Sequence, residues 1–281
     1  MEKHEKIFLK KSFVVITGSS RGLGKSMALH FVGKFPPESV FVLMARNVEA
    51  LESVRTDLVE LVPELTVLVK QYDQGNTDTG YFDGIFDNLL PENKLSTDDF
   101  DQAVIVHNCA STGDNEKTAL QLCDANHVRS FYNINLVGMI LLNTSFFSLF
   151  SNPARSRMVV NITSGGSHIP TPSLNLYCAG KAARDMFFRV LATEEPSIRI
   201  LTYCPGSVDT VMLRDLERDT FSEPLRKLFQ DVRHNNKVLT PEEAASDLVH
   251  VLEDNTFDNA IYVDNYIQGA KPYLDEMEKK Q

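Results

Sequence analysis

The sequence predicts an α/β fold: a single domain built on a doubly wound parallel sheet. Three observations lead there. Seven short β-rich runs alternate with helix-length segments, the pattern of strands joined by crossover helices. Most runs are nearly continuous in apolar residues rather than alternating, as strands covered on both faces are. The first run passes directly into a glycine-rich turn and then a helix, a strand–turn–helix unit suited to holding phosphate.

The runs fall at 13–17 (FVVIT), 40–45 (VFVLMA), 66–71 (TVLVKQ), 103–107 (AVIVH), 158–163 (MVVNIT), 198–204 (IRILTYC) and 260–263 (AIYV). Helices are expected between them at 24–34, 48–62, 76–90, 119–150, 174–194 and 241–253. The longest apolar stretch, 136–150 (LVGMILLNTSFFSLF), is interrupted by Asn143, Thr144, Ser145 and Ser148. It falls short of the ~20 residues a membrane span needs and suits a buried helix. Two excursions are expected, at 91–101 and 209–238. The second is rich in charge and is read as a helical lid over a site. No stretch reads as an interdomain linker, so residues 1–281 are taken as one domain ending in a tail at 268–281.

Hydrophobic residues make up 43% of the chain, enough for a sizeable core, and the formal net charge is −10. An acidic chain repels polyanions at long range, so neither nucleic acid nor an anionic membrane is an expected partner. Cys109, Cys123, Cys178 and Cys204 form no CxxC pair or zinc spacing, so no metal is expected and the thiols are read as reduced. Residues 1–11 are charged and lack the apolar core of a signal peptide, which points to a cytoplasmic protein.

The turn Thr17-Gly18-Ser19-Ser20-Arg21-Gly22-Leu23-Gly24 follows the first strand. A turn at the carboxyl end of that strand aims backbone N–H groups and a helix N-terminus at one spot, which attracts phosphate. Where a site for NAD places a carboxylate after the second strand, this chain has Arg46 and Asn47. Arg21, inside the turn, adds a second cation. Two guanidiniums favour a ribose 2′-phosphate, so NADP(H) is the expected cofactor.

The TGxxxGxG spacing of 17–24 resembles that of the short-chain dehydrogenases/reductases, which have a Rossmann fold. So does a second constellation: Asn135, Ser164, and Tyr177 four residues before Lys181. Residues at i and i+4 share one helix face. The resemblance implies a catalytic tetrad of Ser164, Tyr177, Lys181 and Asn135. It also implies cofactor contacts from Gly18, Ser20, Arg21, Gly22, Leu23, Gly24, Arg46, Asn47, Asp73, Asn108, Tyr177, Lys181, Pro205, Gly206 and Thr210. At Asn108-Cys109-Ala110 the chain departs from the family's Asn-Ala-Gly turn. The family commonly dimerises through two long helices, which points to a homodimer through 136–150 and 186–191.

The chemistry needs these residue types. Hydride transfer to a carbonyl carbon leaves negative charge on oxygen, and a proton must arrive there. A free phenol has a pKa near ~10. An ammonium about 5 Å away, at an effective dielectric of ~20, offers roughly 3 kcal/mol. Lys181 is therefore expected to draw Tyr177 down toward working pH. Ser164 is expected to hydrogen-bond the substrate oxygen, and Asn135 to position a water that restores the proton.

A closer resemblance, in 18–26 and 176–186, is to the pterin-reducing members of the family. It implies NADPH-dependent reduction of carbonyls on a pterin side chain, with Ser164, Tyr177 and Asp264 touching the substrate. One carboxylate at 264 can accept both parallel donors of a pterin edge. The segment 165–170 (GGSHIP), with His168, is not the apolar stretch usual there. The alternatives are a general carbonyl or diketone reductase and a non-catalytic NADP(H)-binding regulator.

Overall fold

A computed structural model describes residues 6–78, 80–235 and 237–264. The strands are β1 (Ser12–Thr17), β2 (Val40–Ala45), β3 (Thr66–Gln71), β4 (Gln102–His107), β5 (Ser156–Ile162), β6 (Ile198–Cys204) and β7 (Tyr262–Asp264). They form one parallel sheet in the order β3-β2-β1-β4-β5-β6-β7. The order reverses at β1 and β4, which opens a crevice at their carboxyl ends.

β1 and β2 are buried at every position, which explains their unbroken apolar runs. Val14 and Ile16 face a core shared with α1 (Gly22–Val32), α2 (Val48–Leu61) and α9 (Pro241–Asp254). Phe13 and Val15 face the opposite core, with α3 (Asp83–Glu92), α5 (Gly138–Leu149) and α6 (Asn175–Glu194). Alternate residues of a strand point to opposite faces, so each strand serves both cores.

Two helix expectations change. The helix read at 76–90 begins at Asp83, because Asp73 and Asn76 side chains accept the Gly75 and Asp78 N–H groups and hold turns there. The segment 119–150 is not one helix. Asp124 caps α4 (Ala125–Tyr132) by accepting from Asn126 and His127, and a π-helical turn over Asn133–Val137 separates α4 from α5. The excursion 209–238 contains α7 (Val211–Asp219) and α8 (Glu223–His234). Its ends are stitched together, since Leu239 N–H donates to Ser207 and Asp209 N–H to Leu239. The tail at 268–281 lies outside the described residues. Among the described residues, no helix is long and apolar enough to cross a membrane.

Candidate active site

The glycine turn lies at the carboxyl end of β1. Gly18 N–H donates to Met44 O at 2.7 Å, and Met44 N–H donates to Ser19 Oγ at 3.0 Å. These bonds stitch the turn to the end of β2, so Arg21 and Arg46, both exposed, stand at the carboxyl end of the sheet. A Cβ on Gly24 would lie 2.2 Å from the Gly18 carbonyl oxygen, so no side chain fits there. Arg21 precedes α1 and no side chain caps the helix, which leaves the N–H groups near Ser20, Gly22 and Leu23 for an anion. A dinucleotide phosphate fits this donor set.

Several predicted cofactor contacts already have local partners. The Asn47 side chain caps α2 through Ala50 N–H at 2.9 Å. Asp73 accepts from Gly75 N–H at 3.0 Å. Asn108 donates to Thr17 O at 3.0 Å and Gly18 O at 3.3 Å, holding the turn from behind. Thr210 caps α7, and its methyl lies 3.3 Å from where a Gly22 Cβ would be, so it borders the turn. Pro205 and Gly206 connect β6 to that cap, with Gly206 at a φ of 77°.

The second half of the site gathers at the end of β5 and on α6. Ser164 follows β5 and hydrogen-bonds Tyr177. Lys181 is buried, donates to Ile162 O at 2.7 Å, and lies 5.6 Å from the centre of the Tyr177 ring. The expectation that Lys181 draws Tyr177 down is reversed here. Burial pushes Tyr177 up to about 12, with the Ser164 hydrogen bond opposing it. Burial, then Arg184, pulls Lys181 down to about 7. Desolvation outweighs the hydrogen bonds and neighbouring charges that act on each group.

Asn135 sits in the π-helical turn, and its side chain is committed to the backbone. Its oxygen accepts from Ser111 N–H at 2.9 Å, and its amide donates to Phe131 O at 3.0 Å. Gly138 N–H bonds to Asn133 O, five residues back, which leaves Ile134 O to accept from the Gln74 side chain. A Cβ on Gly138 would lie 1.9 Å from Gln74 O. Gln74 also donates to Cys109 O at 3.2 Å and so ties the turn after β4 to this helix.

Asp264 pairs in register with Cys204 and accepts from the Tyr262 hydroxyl at 2.9 Å. The His168 ring meets the Tyr262 ring edge-on at 4.5 Å. The α7–α8 excursion packs over the start of α6, where Leu216 and Leu225 are buried with Leu174 against Tyr177 and Cys178.

The sequence of residues 12–220 matches the short chain dehydrogenase family model. This chain belongs to that family. Sepiapterin reductase of Bos taurus is 35% identical over 92% of this chain and 96% of its own length. Benzil reductase of Bacillus subtilis is 26% identical over 88% of this chain and 96% of its own. Levodione reductase shares the fold at a TM-score of 0.75 and 21% identity, covering 92% of this chain and 96% of that one. The chain is therefore a nicotinamide-dependent oxidoreductase of the short-chain dehydrogenase family.

Sequence reading missed Gln74, Asn161, Thr163, Arg184 and Asp185. One signal was available: Lys181, Arg184 and Asp185 fall at i, i+3 and i+4 on the face of α6 that also carries Leu176, Gly180 and Phe188. Polar residues on an otherwise buried helix face need partners inside the protein.

Proposed function

We propose that the chain reduces a carbonyl on the side chain of a pterin with NADPH. The observation that carries this reading is the grouping of Ser164, Tyr177 and Lys181 after β5 and on α6, with a carboxylate, Asp264, at the same end of the sheet on β7, two strands along. Arg21 and Arg46 supply the charge that favours NADPH over NADH. NADPH, when bound at the glycine turn, supplies the hydride. Tyr177 gives its proton to the carbonyl oxygen, and the Ser164 hydroxyl holds that oxygen in place. The Lys181 ammonium stabilises the phenolate that forms, and its charge matters more because both groups are buried. Asn135 acts through the backbone, keeping the π-helical turn and the Ser111 loop in position. Asp264 accepts the paired N–H donors of the pterin edge.

A homodimer in the cytoplasm completes the proposal. Leu141, Met186 and Val190 are exposed apolar side chains on α5 and α6, and the described cysteines are free thiols. A diketone reductase is the second reading, favoured by the resemblance to benzil reductase.

The test is NADPH oxidation with sepiapterin beside a panel of diketones. Asp264→Ala should lower kcat/KM for sepiapterin by about 10- to 100-fold, the loss of a charge-assisted contact of ~1.5–3 kcal/mol. Diketone turnover should stay unchanged. Equal losses on both substrates would favour the diketone reading. No NADPH oxidation with any carbonyl would favour a non-catalytic role.

A further inference from the structure

Arg184 is fully buried in α6. One of its terminal nitrogens donates to His107 O at 2.9 Å and to Asn161 Oδ1 at 3.0 Å. The other donates to Cys109 O at 3.3 Å. Its acceptors are therefore the last carbonyl of β4, the turn that follows, and a side chain of β5. Asn161 relays the contact, since its amide donates to Asp185 at 3.0 Å, and Asp185 also accepts from Thr163 at 2.8 Å. No ion pair within 4.0 Å joins Arg184 to Asp185; Asn161 stands between them. A buried guanidinium without a direct counter-charge among the described residues is costly. The fork shape supplies what an apolar residue cannot, a fixed spacing between two strand ends.

We propose that Arg184 is a positioning residue for the reaction, clamping the carboxyl ends of β4 and β5 together under Tyr177 and Lys181. The clamp reaches both halves of the site. Through Cys109 it supports Asn108, which holds the Gly18 turn. Through the end of β5 it fixes Ile162 O, the acceptor of Lys181. Its charge also acts on Lys181. The other titratable groups acting on Lys181 are Asp185 on its own helix, Cys204 at the end of β6 and Cys109 after β4; Tyr177 lies one turn away. Arg184 lowers the affinity of Lys181 for its proton, and the other three raise it.

The inference rests on Tyr177 and Lys181 as the proton-donating pair, and two variants test it. Arg184→Met removes fork and charge; Arg184→Lys keeps the charge and loses the fork. In Arg184→Met, kcat should fall about 10- to 100-fold, the effect of a small misplacement of reacting groups. Its alkaline pH limb should move upward, because Lys181 keeps its proton longer. Arg184→Lys should restore the limb but not kcat. NADPH affinity, read by nicotinamide fluorescence, should weaken about tenfold in Arg184→Met, a readout independent of turnover. Wild-type kcat, pH limb and NADPH affinity in folded Arg184→Met would overturn the proposal. So would a lowered Tm with those three unchanged. If Arg184→Met does not fold, wild-type kcat in Arg184→Lys overturns it. A wild type inactive on every carbonyl is the failure of the proton-donor reading, and the NADPH titration then decides the clamp alone.

Discussion

The two halves of the site are built by different means. At the end of β1 the backbone forms the surface: an uncapped helix start, and a glycine whose replacement would put a Cβ 2.2 Å from a carbonyl oxygen. At the end of β5 side chains form it: Ser164, Tyr177 and Lys181, supported by Arg184, Asn161 and Asp185. A phosphate needs many N–H groups converging on one point, which backbone supplies cheaply. Proton transfer needs one group of suitable acidity at one place, which only a side chain supplies.

That contrast predicts opposite signatures for substitutions in the two halves. Tyr177→Phe should have the largest effect, lowering kcat by about 10²–10⁴-fold while NADPH binding, followed by fluorescence, stays unchanged. Near-normal turnover would break the contrast. Gly24→Ala should do the reverse. Overpacking of ~1–3 kcal/mol should appear as a lower Tm and weaker NADPH binding, with kcat at saturating NADPH largely kept. Arg46→Ala should cost about tenfold in the preference for NADPH over NADH, as ~1.4 kcal/mol does, compared by kcat/KM for each. An unchanged ratio would assign the preference to Arg21. Tyr262→Phe should have the smallest effect. It removes a donor that Asp264 accepts from, so the KM for sepiapterin should fall about 2- to 10-fold, matching ~0.5–1.5 kcal/mol. An unchanged KM would show that Asp264 does not hold the substrate.

Much of the fold was legible because its signals are local. The seven apolar runs matched seven strands, each within two residues, since a strand buried on both faces, as β1, β2 and β4 are, must be largely apolar. The glycine turn and the four-residue step from Tyr177 to Lys181 were legible for the same reason. The break in the long fourth helix was not. It depends on Gln74, distant in sequence, accepting the role of partner to Ile134 O. Nor was the Arg184 clamp, whose acceptors lie 23 to 77 positions away. The direction of the Tyr177 shift was misjudged because sequence spacing reports the neighbouring lysine but not the burial that outweighs it.

By itself the sequence determined the family and the parallel sheet, and it named the candidate site residues, because periodicity and motif spacing are properties of the chain. Tertiary structure alone decided which of those residues face the site and which are committed to holding it. Asn47, Asn108 and Asn135 spend their side chains on backbone groups. Tyr262 covers part of Asp264, and Arg184 joins two strands. The physical reason is that hydrogen-bond partners and burial are set by contacts between segments far apart in sequence, and those contacts form only when the sheet and its helices close.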